Sequence, residues 1–449
     1  MSHFPRHRFE RLLFLKLELW LVLLTLTICV IGTVLFAALV KNHAEQRRSF
    51  GVFGEAAYRI ANIPGDTLWT LRRVRGLRIE SPYLANESDI GGSGLTFHAS
   101  PGTDGYLLIS RYDVDTDRAL VELIDLDRGE TVHSWQPALD LMAARARTQR
   151  EHEVYERLMI PYVWPDGSLT VSMHASYVAM VDRCSNVRWV VGTPPPHHSV
   201  ETDADGFLWV PYGLNPPSAR ERYSTGLAKM SRTGEVVSLI QFEDVLRRNG
   251  YHSLFYAMDS VLDDPLHLND IQPVLRDGPY WRRGDLFISL RTHSVVLLYR
   301  PSSDEVVWLQ TGPWLHQHDV NIVSNHEISV FSNNVGYVDG EVQLVLDASD
   351  VFIYDFETGK TRSPWRDALA DYQVRTETQG RATMIDEDTV FVEESDYGRA
   401  LSLSADGELH WTYVNRGTDG EVYQLSWSRY LPADEGDRIA EAVSTRVCP

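Results

Sequence analysis

"GDLFISLRTHSVVLLYRPSSDEVVWLQTG" (residues 284–312) holds three strands in one phrase. Gly-Asp opens an apolar run, Arg291-Thr292-His293-Ser294 interrupts it, a second apolar run follows, Pro-Ser-Ser-Asp turns the chain, and a third run ends beyond Trp308. Short apolar or alternating runs bounded by turn residues signal antiparallel strands. The phrase recurs as "DGYLLISRYDVDTDRALVELIDLDRGETVHSW" (104–135), "DGSLTVSMHASYVAMVDRCSNVRWVVG" (166–192) and "DTVFVEESDYGRALSLSADGELHWTYVNRG" (388–417). Split copies lie within 205–241 and 326–365. Three strands per copy, plus one from the segment approaching it, make a four-stranded blade. A lone blade leaves both faces bare, so six must close into a ring. The expected fold class is all-β: a six-bladed β-propeller with helical insertions, preceded by one N-terminal transmembrane helix. The helix-periodic insertions 138–159 and 242–251 are expected to cap one mouth of the channel.

Outward from the repeats, the remaining segments are distinct. Residues 19–40, "LWLVLLTLTICVIGTVLFAALV", carry no charge over 22 positions, close to the roughly 20 that cross a bilayer as a helix. The run is longer than a signal-peptide core and lacks a good small-residue cleavage site, so it reads as an uncleaved anchor. Arg6, Arg8, Arg11 and Lys16 precede it, against Lys41, Arg47 and Arg48 after it. The positive-inside bias then puts residues 1–18 in the cytoplasm and the propeller on the periplasmic side of a bacterial inner membrane. Residues 41–92 read as a stem with a short helix and Pro/Gly turns, 93–430 as the propeller, and 431–449 as a tail. The net charge is −20, which argues against a nucleic-acid partner. Of the three cysteines, Cys29 lies in the anchor, while Cys184 and Cys448 either bridge or stand as separate thiols.

In a propeller, residues just ahead of the innermost strands gather at one channel mouth. Counting back seven positions from the turn residues Asp205 and Asn325 reaches His198 and His318. The same count in blade six reaches Gly380, beside Arg381, and the longer approach of blade four carries His267 and Asn269. Arg291 follows the inner part of blade four. Strand alternation would turn His197 away from His198, and His316 away from His318. His198, His267, His318 and Arg291 are thus the candidate catalytic set, with Asn269, His197 and Arg381 as substrate-binding candidates. Three imidazoles and a guanidinium suit a tetrahedral oxyanion such as a sulfate or phosphate ester, and a neutral histidine nitrogen is a competent nucleophile. Zinc held by His198, His267 and His318 is the competing chemistry. The fixed charge of Arg291 opposes a dication, and no carboxylate-rich channel is evident, so no metal and no other cofactor is expected. A non-catalytic propeller binding an anionic or envelope ligand, and a metal-dependent ester hydrolase, are the alternative functions.

At these residues the sequence resembles the bacterial arylsulfate sulfotransferases. The likeness rests on "HHSVETDADGFLWVP", "HLNDIQPV", "GDLFISLR", "QHDVNIVSNHEISVF" and "GRALSLSADGELHWTYVNR", spread over roughly 93–430. It implies a six-bladed propeller that moves a sulfuryl group from a phenolic sulfate ester to a phenolic acceptor, without a nucleotide donor and through a sulfohistidine. It further implies His318 as nucleophile, with His198, His267 and Arg291 around the sulfuryl oxygens. The partners implied are an aryl sulfate and a phenol. Unlike soluble members, which have an N-terminal domain and a small disulfide loop, this chain has an anchor, a short stem and no close cysteine pair.

Overall fold

The computed structural model describes residues 18–44, 50–74, 83–86, 90–99, 105–146, 157–173, 176–214, 224–256, 264–338, 341–445 and 448. Residues 1–17 of the expected cytoplasmic segment lie outside them. One unit reaches Ser81 and holds two helices, Leu19–Ala44 and Gly51–Val74. Within the first, Leu19–Asn42 has a mean hydropathy of 2.6 and is wholly unburied, long and apolar enough to cross a bilayer; a signal sequence would meet the same test. The second helix corrects the expectation of a short helix and turns, because its 24 residues run through Pro64 and Gly65. Gly54 and Ala57, three residues apart, are its buried positions among the described residues, while Ile60 and Ile63 are exposed.

The other unit is the six-bladed β-propeller that the repeats require. Its innermost strands, blades one to six, are Arg429–Leu431, Met159–Val163, Glu201–Thr202, Leu268–Pro273, Asp319–Ile322 and Arg381–Met384. Blade one differs from expectation. Its approach segment supplies no inner strand; instead Gly94–Phe97 pairs outside Leu409–Val414 as a fifth strand of blade six. The inner place is taken by Arg429–Leu431 from the far end of the chain, with Arg429 opposite Leu108. Closure by a distant strand satisfies the inner edge of blade one, which would otherwise be bare.

Period-2 alternation explains why the strands are apolar on both sides. Val295, Leu297 and Tyr299 pack with Leu227 of blade three, while Val296 and Leu298 pack with Val330 and Phe352 of blade five. Likewise Leu108 faces Leu169 of blade two, and Leu107 and Ile109 face Phe391 and Trp411 of blade six. Every interblade face holds such a cluster, and each fully buried large apolar side chain contributes about 1.5–3 kcal/mol. The tryptophan ending several copies of the repeat has a specific use. Trp135, Trp189 and Trp365 donate their indole N–H to the carbonyls of Gly167, Arg232 and Asp388, each in a turn of the next blade.

The described helices of the insertions pack at the outer strands and do not cap the channel. Leu139–Ala146 buries Leu139 and Met142 in the cluster between blades one and two, and Phe242–Arg248 buries Phe242, Val245 and Leu246 between blades three and four. Their apolar faces match the interblade core, which holds them at the outer strands. Residues 147–156 of the first insertion lie outside the described residues. Helix Ala433–Ser444 adds Ile439 and Val443 to the first of these clusters. Beyond it Cys448 is disulfide-bonded to Cys184, with Cα atoms 5.4 Å apart, which decides between bridge and separate thiols.

Candidate active site

A ladder of hydrogen bonds between blades sets the site's register. Ser199 Oγ accepts from Ile271 N–H (3.1 Å), Asp270 Oδ2 from Val320 N–H (2.9 Å), and Asp319 Oδ2 from Ala382 N–H (3.1 Å). Each rung joins one blade to the next at equivalent positions. The residues just before the rungs, His198, Asn269, His318 and Gly380, are therefore equivalent across blades three to six. Gly380 has φ +82°, and a Cβ there would lie 2.5 Å from Thr376 Cγ2 and 2.6 Å from Phe331, so only glycine fits.

In or beside this row, each inner strand has one non-glycine residue with positive φ at or near its start. They are Trp427 (62°), Ile160 (44°), His198 (64°), His267 (46°), His316 (51°) and Gln379 (57°). Such a residue costs about 1–2 kcal/mol, and strain of this kind concentrates at functional sites. It also overturns the alternation argument. His198 is not in strand conformation, so the rings of His197 and His198 lie together, centroids 4.0 Å apart and 5.0 and 5.1 Å from His267. His198 Nε2 and His267 Nε2 are 3.0 Å apart, sharing a proton. His267 is held by Asp264, whose Oδ2 is 3.0 Å from Nδ1 and whose Oδ1 accepts from the His267 backbone N–H. His197 donates Nδ1–H to the carbonyl of Leu268 (3.1 Å).

His318 is 2% exposed, and its two ring nitrogens have distinct partners. Nδ1 lies 2.6 Å from Asn333 Oδ1. The orientation of that amide is not free, because Asn333 Nδ2 donates to the carbonyls of Thr376 (2.9 Å) and Gln379 (2.8 Å). Asn333 Oδ1 must accept, so the His318 proton sits on Nδ1. Nε2 carries the lone pair and receives Gln379 N–H at 3.3 Å. Burial pushes the His318 pKa well below the ordinary imidazole value, and the positive charge of Arg291 pushes it further. Burial and Arg291 likewise bring His316 down to about 4. The result is a neutral histidine, locked in one tautomer, beside a fixed cation.

The remaining predicted residues are also at the channel. Arg291 is 6% exposed, and its backbone N–H donates to the His267 carbonyl. Asn269 Nδ2 donates to the Gln317 carbonyl (2.7 Å). Arg381 pairs with Asp319 at 3.3 Å. That pair belongs to a largely buried ionic layer, in which the half-buried Arg429 and Glu201 pair at 2.7 Å and the buried Asp270 carries a third carboxylate. Burial, then the charges of Asp319 and Glu201, hold Asp270 well above the usual carboxylate range. Carboxylates are thus present in the channel, contrary to the sequence expectation. Each comes from a different blade, so no local run of acidic residues announces them.

Sequence reasoning also missed Asn333, the backbone of Gln379, and Trp427. Trp427 is 3% exposed, stacks on His198 (centroids 5.5 Å, 28°) and meets His318 edge-on at 5.9 Å. Its indole Nε1 is buried without a hydrogen-bond partner among the described residues. It lies just before the strand that closes blade one, after the sixth copy of the repeat has ended. The one usable signal was "SNN" (332–334), at the end of the second strand of blade five, Glu327–Ser332.

A propeller with a neutral, oriented imidazole and a guanidinium at one channel mouth is built to handle a small anionic group. The chain belongs to the arylsulfotransferase family: the family described as "Arylsulfotransferase (ASST)" matches residues 165–416, more than half of its length. No curated protein matches the chain. Similar solved structures include a protein of unknown function from Bacteroides caccae (10% identity, TM-score 0.47, covering 73% of this chain and 99% of that one). Others are the Kuenenia stuttgartiensis hydrazine synthase (14%, 0.39, 79% and 90%) and Citrobacter koseri AztD (9%, 0.37, 73% and 98%).

Proposed function

We propose that the chain is a membrane-anchored, nucleotide-independent aryl sulfotransferase that works through a sulfohistidine on His318. The observation that carries this reading is the His318–Asn333 pair, because it leaves the Nε2 lone pair as the reactive atom. In the first half-reaction Nε2 attacks sulfur, an N–S bond forms, the S–O bond to the aryl group breaks, and its electron pair leaves on the phenolate. His198, His267 and Arg291 surround the sulfuryl oxygens, and preset donors of this kind typically contribute about 10²–10³-fold in rate. The proton shared by His198 and His267 is available to the departing phenolate. In the second half-reaction a phenolic acceptor attacks sulfur, the N–S bond breaks and its phenol proton passes to the same histidine pair. Because Asn333 is neutral, the sulfo-imidazole keeps its positive charge and remains a good leaving group. A carboxylate there would stabilise the cation and slow its discharge.

Membrane attachment through Leu19–Asn42 is part of this proposal, with the propeller outside the cytoplasm. The Cys184–Cys448 bridge supports an oxidising compartment. The test uses the full chain in detergent with a chromogenic aryl sulfate and a phenol acceptor. Phenol release, a sulfated acceptor, and a sulfuryl mass gain on the peptide containing His318 are expected, all lost in His318→Asn. Absence of both release and mass gain in the wild type would end the reading.

A further inference from the structure

We propose that His197, His198 and His267 form a binding site for a late first-row divalent metal ion such as Zn²⁺. One ring nitrogen from each of the three lies within 4.8 Å of the other two. In a tetrahedral zinc site with Zn–N of about 2.0–2.1 Å, the nitrogens stand roughly 3.3 Å apart. The His198–His267 pair, at 3.0 Å, is already at that spacing, and a His197 ring nitrogen lies within 4.8 Å of both.

The orientation of the rings carries the argument further. Metal-bound histidines usually donate their other ring N–H to a carboxylate or a backbone carbonyl, which fixes the tautomer and the ring plane. His267 meets Asp264 through Nδ1, and His197 donates Nδ1–H to the Leu268 carbonyl. Both contacts put the lone pair on Nε2. The proton between His198 and His267 gives way to the ion, moving to Nδ1 of His198 so that all three rings stay neutral. The positive φ of His198 and His267 is what brings three rings from two blades to one point. Imidazole ligands select zinc, copper, nickel or cobalt over magnesium or calcium. Arg291 opposes a cation, but the carboxylate of Asp264, 3.0 Å from His267 Nδ1, acts in the other direction.

His198 and His267 are also the groups assigned to the sulfuryl oxygens. An ion in this site therefore excludes an aryl sulfate, and Zn²⁺ becomes a competitive inhibitor of transfer. That consequence rests on the proposed sulfotransferase reading; metal binding does not.

The experiment is a Co²⁺ titration of the full chain in detergent, without substrate. One ion per chain, with the visible d–d bands of a low-coordinate nitrogen site that Zn²⁺ then erases, is expected. His197→Gln and His267→Gln should each abolish the bands, while His316→Gln keeps them. Asp264→Asn retains all three ligands and should weaken binding about 10–100-fold, so the proposal stays testable should a histidine variant fail to fold. No bands at saturating Co²⁺, or bands unchanged in folded His197→Gln, would overturn it. A protein that binds Co²⁺ but turns over no aryl sulfate keeps the site and loses only the inhibition.

Discussion

Replacing Asn333 by leucine removes the acceptor that fixes the tautomer of His318 while keeping a side chain of similar volume. In the native site the Nδ1–Oδ1 bond is 2.6 Å, with Asn333 fully buried. A buried donor left unsatisfied costs about 1–3 kcal/mol. His318 can instead move its proton to Nε2, which leaves the Gln379 N–H without its acceptor and extinguishes the nucleophile. If the penalty falls on the reactive tautomer, the rate of transfer drops about tenfold to a hundredfold, at ~1.4 kcal/mol per decade. The assay is phenol release under saturating donor, together with ¹⁵N NMR of histidine-labelled protein to read which ring nitrogen carries the proton. Asn333→Asp supplies the contrast. It keeps an acceptor on Nδ1 but raises the His318 pKa, so the acid limb of the pH–rate profile moves up. The wild-type profile stays flat as pH falls through 6.5, the ordinary histidine value that His318 lies well below. A folded Asn333→Leu protein with the wild-type rate and an unchanged acid limb would refute the tautomer argument.

Three further outcomes follow from the same geometry. Arg291→Met should lower transfer about 10²–10³-fold, in the range of a lost oxyanion donor, and move the acid limb upward, because the cation that depresses His318 is gone. Cys184→Ser should lower stability by about 2–5 kcal/mol, the usual range for a native disulfide, and reductant should match it in wild type; equal melting temperatures would argue that the bridge does not hold the C-terminal end. For His316, with a folded pKa of about 4 against an ordinary 6.5, the unfolded chain takes up a proton first as pH falls. Stability is therefore unaffected above 6.5 and declines between 6.5 and about 4, a decline that His316→Gln should flatten in thermal melts.

The architecture was legible because its cause is local and repeated. Alternating apolar strands such as Val295–Arg300, with Asp-Gly turns between runs, specify blades, and two apolar faces per blade require a ring. His198 and His318 were found by register alone, since the turn that starts each hairpin fixes the count back to the channel. What the count could not deliver was backbone conformation. His197 and His198 read as opposed residues of a strand, yet a positive φ at His198 swings both rings into one cluster. Nor could it deliver closure, since the strand that completes blade one, and Trp427 just before it, come from beyond the last repeat.

The sequence by itself determined which segments carry the repeated strands, how many blades they form and the register of His198 and His318, because hydrophobic period and turn chemistry act over a few residues. The tertiary structure alone decided the protonation and orientation of His318, the grouping of Glu201, Asp270 and Asp319, and the pairing of Cys184 with Cys448. Those depend on distances between groups tens to hundreds of positions apart, and on the loss of water around them. Such distances exist only once the ring has closed.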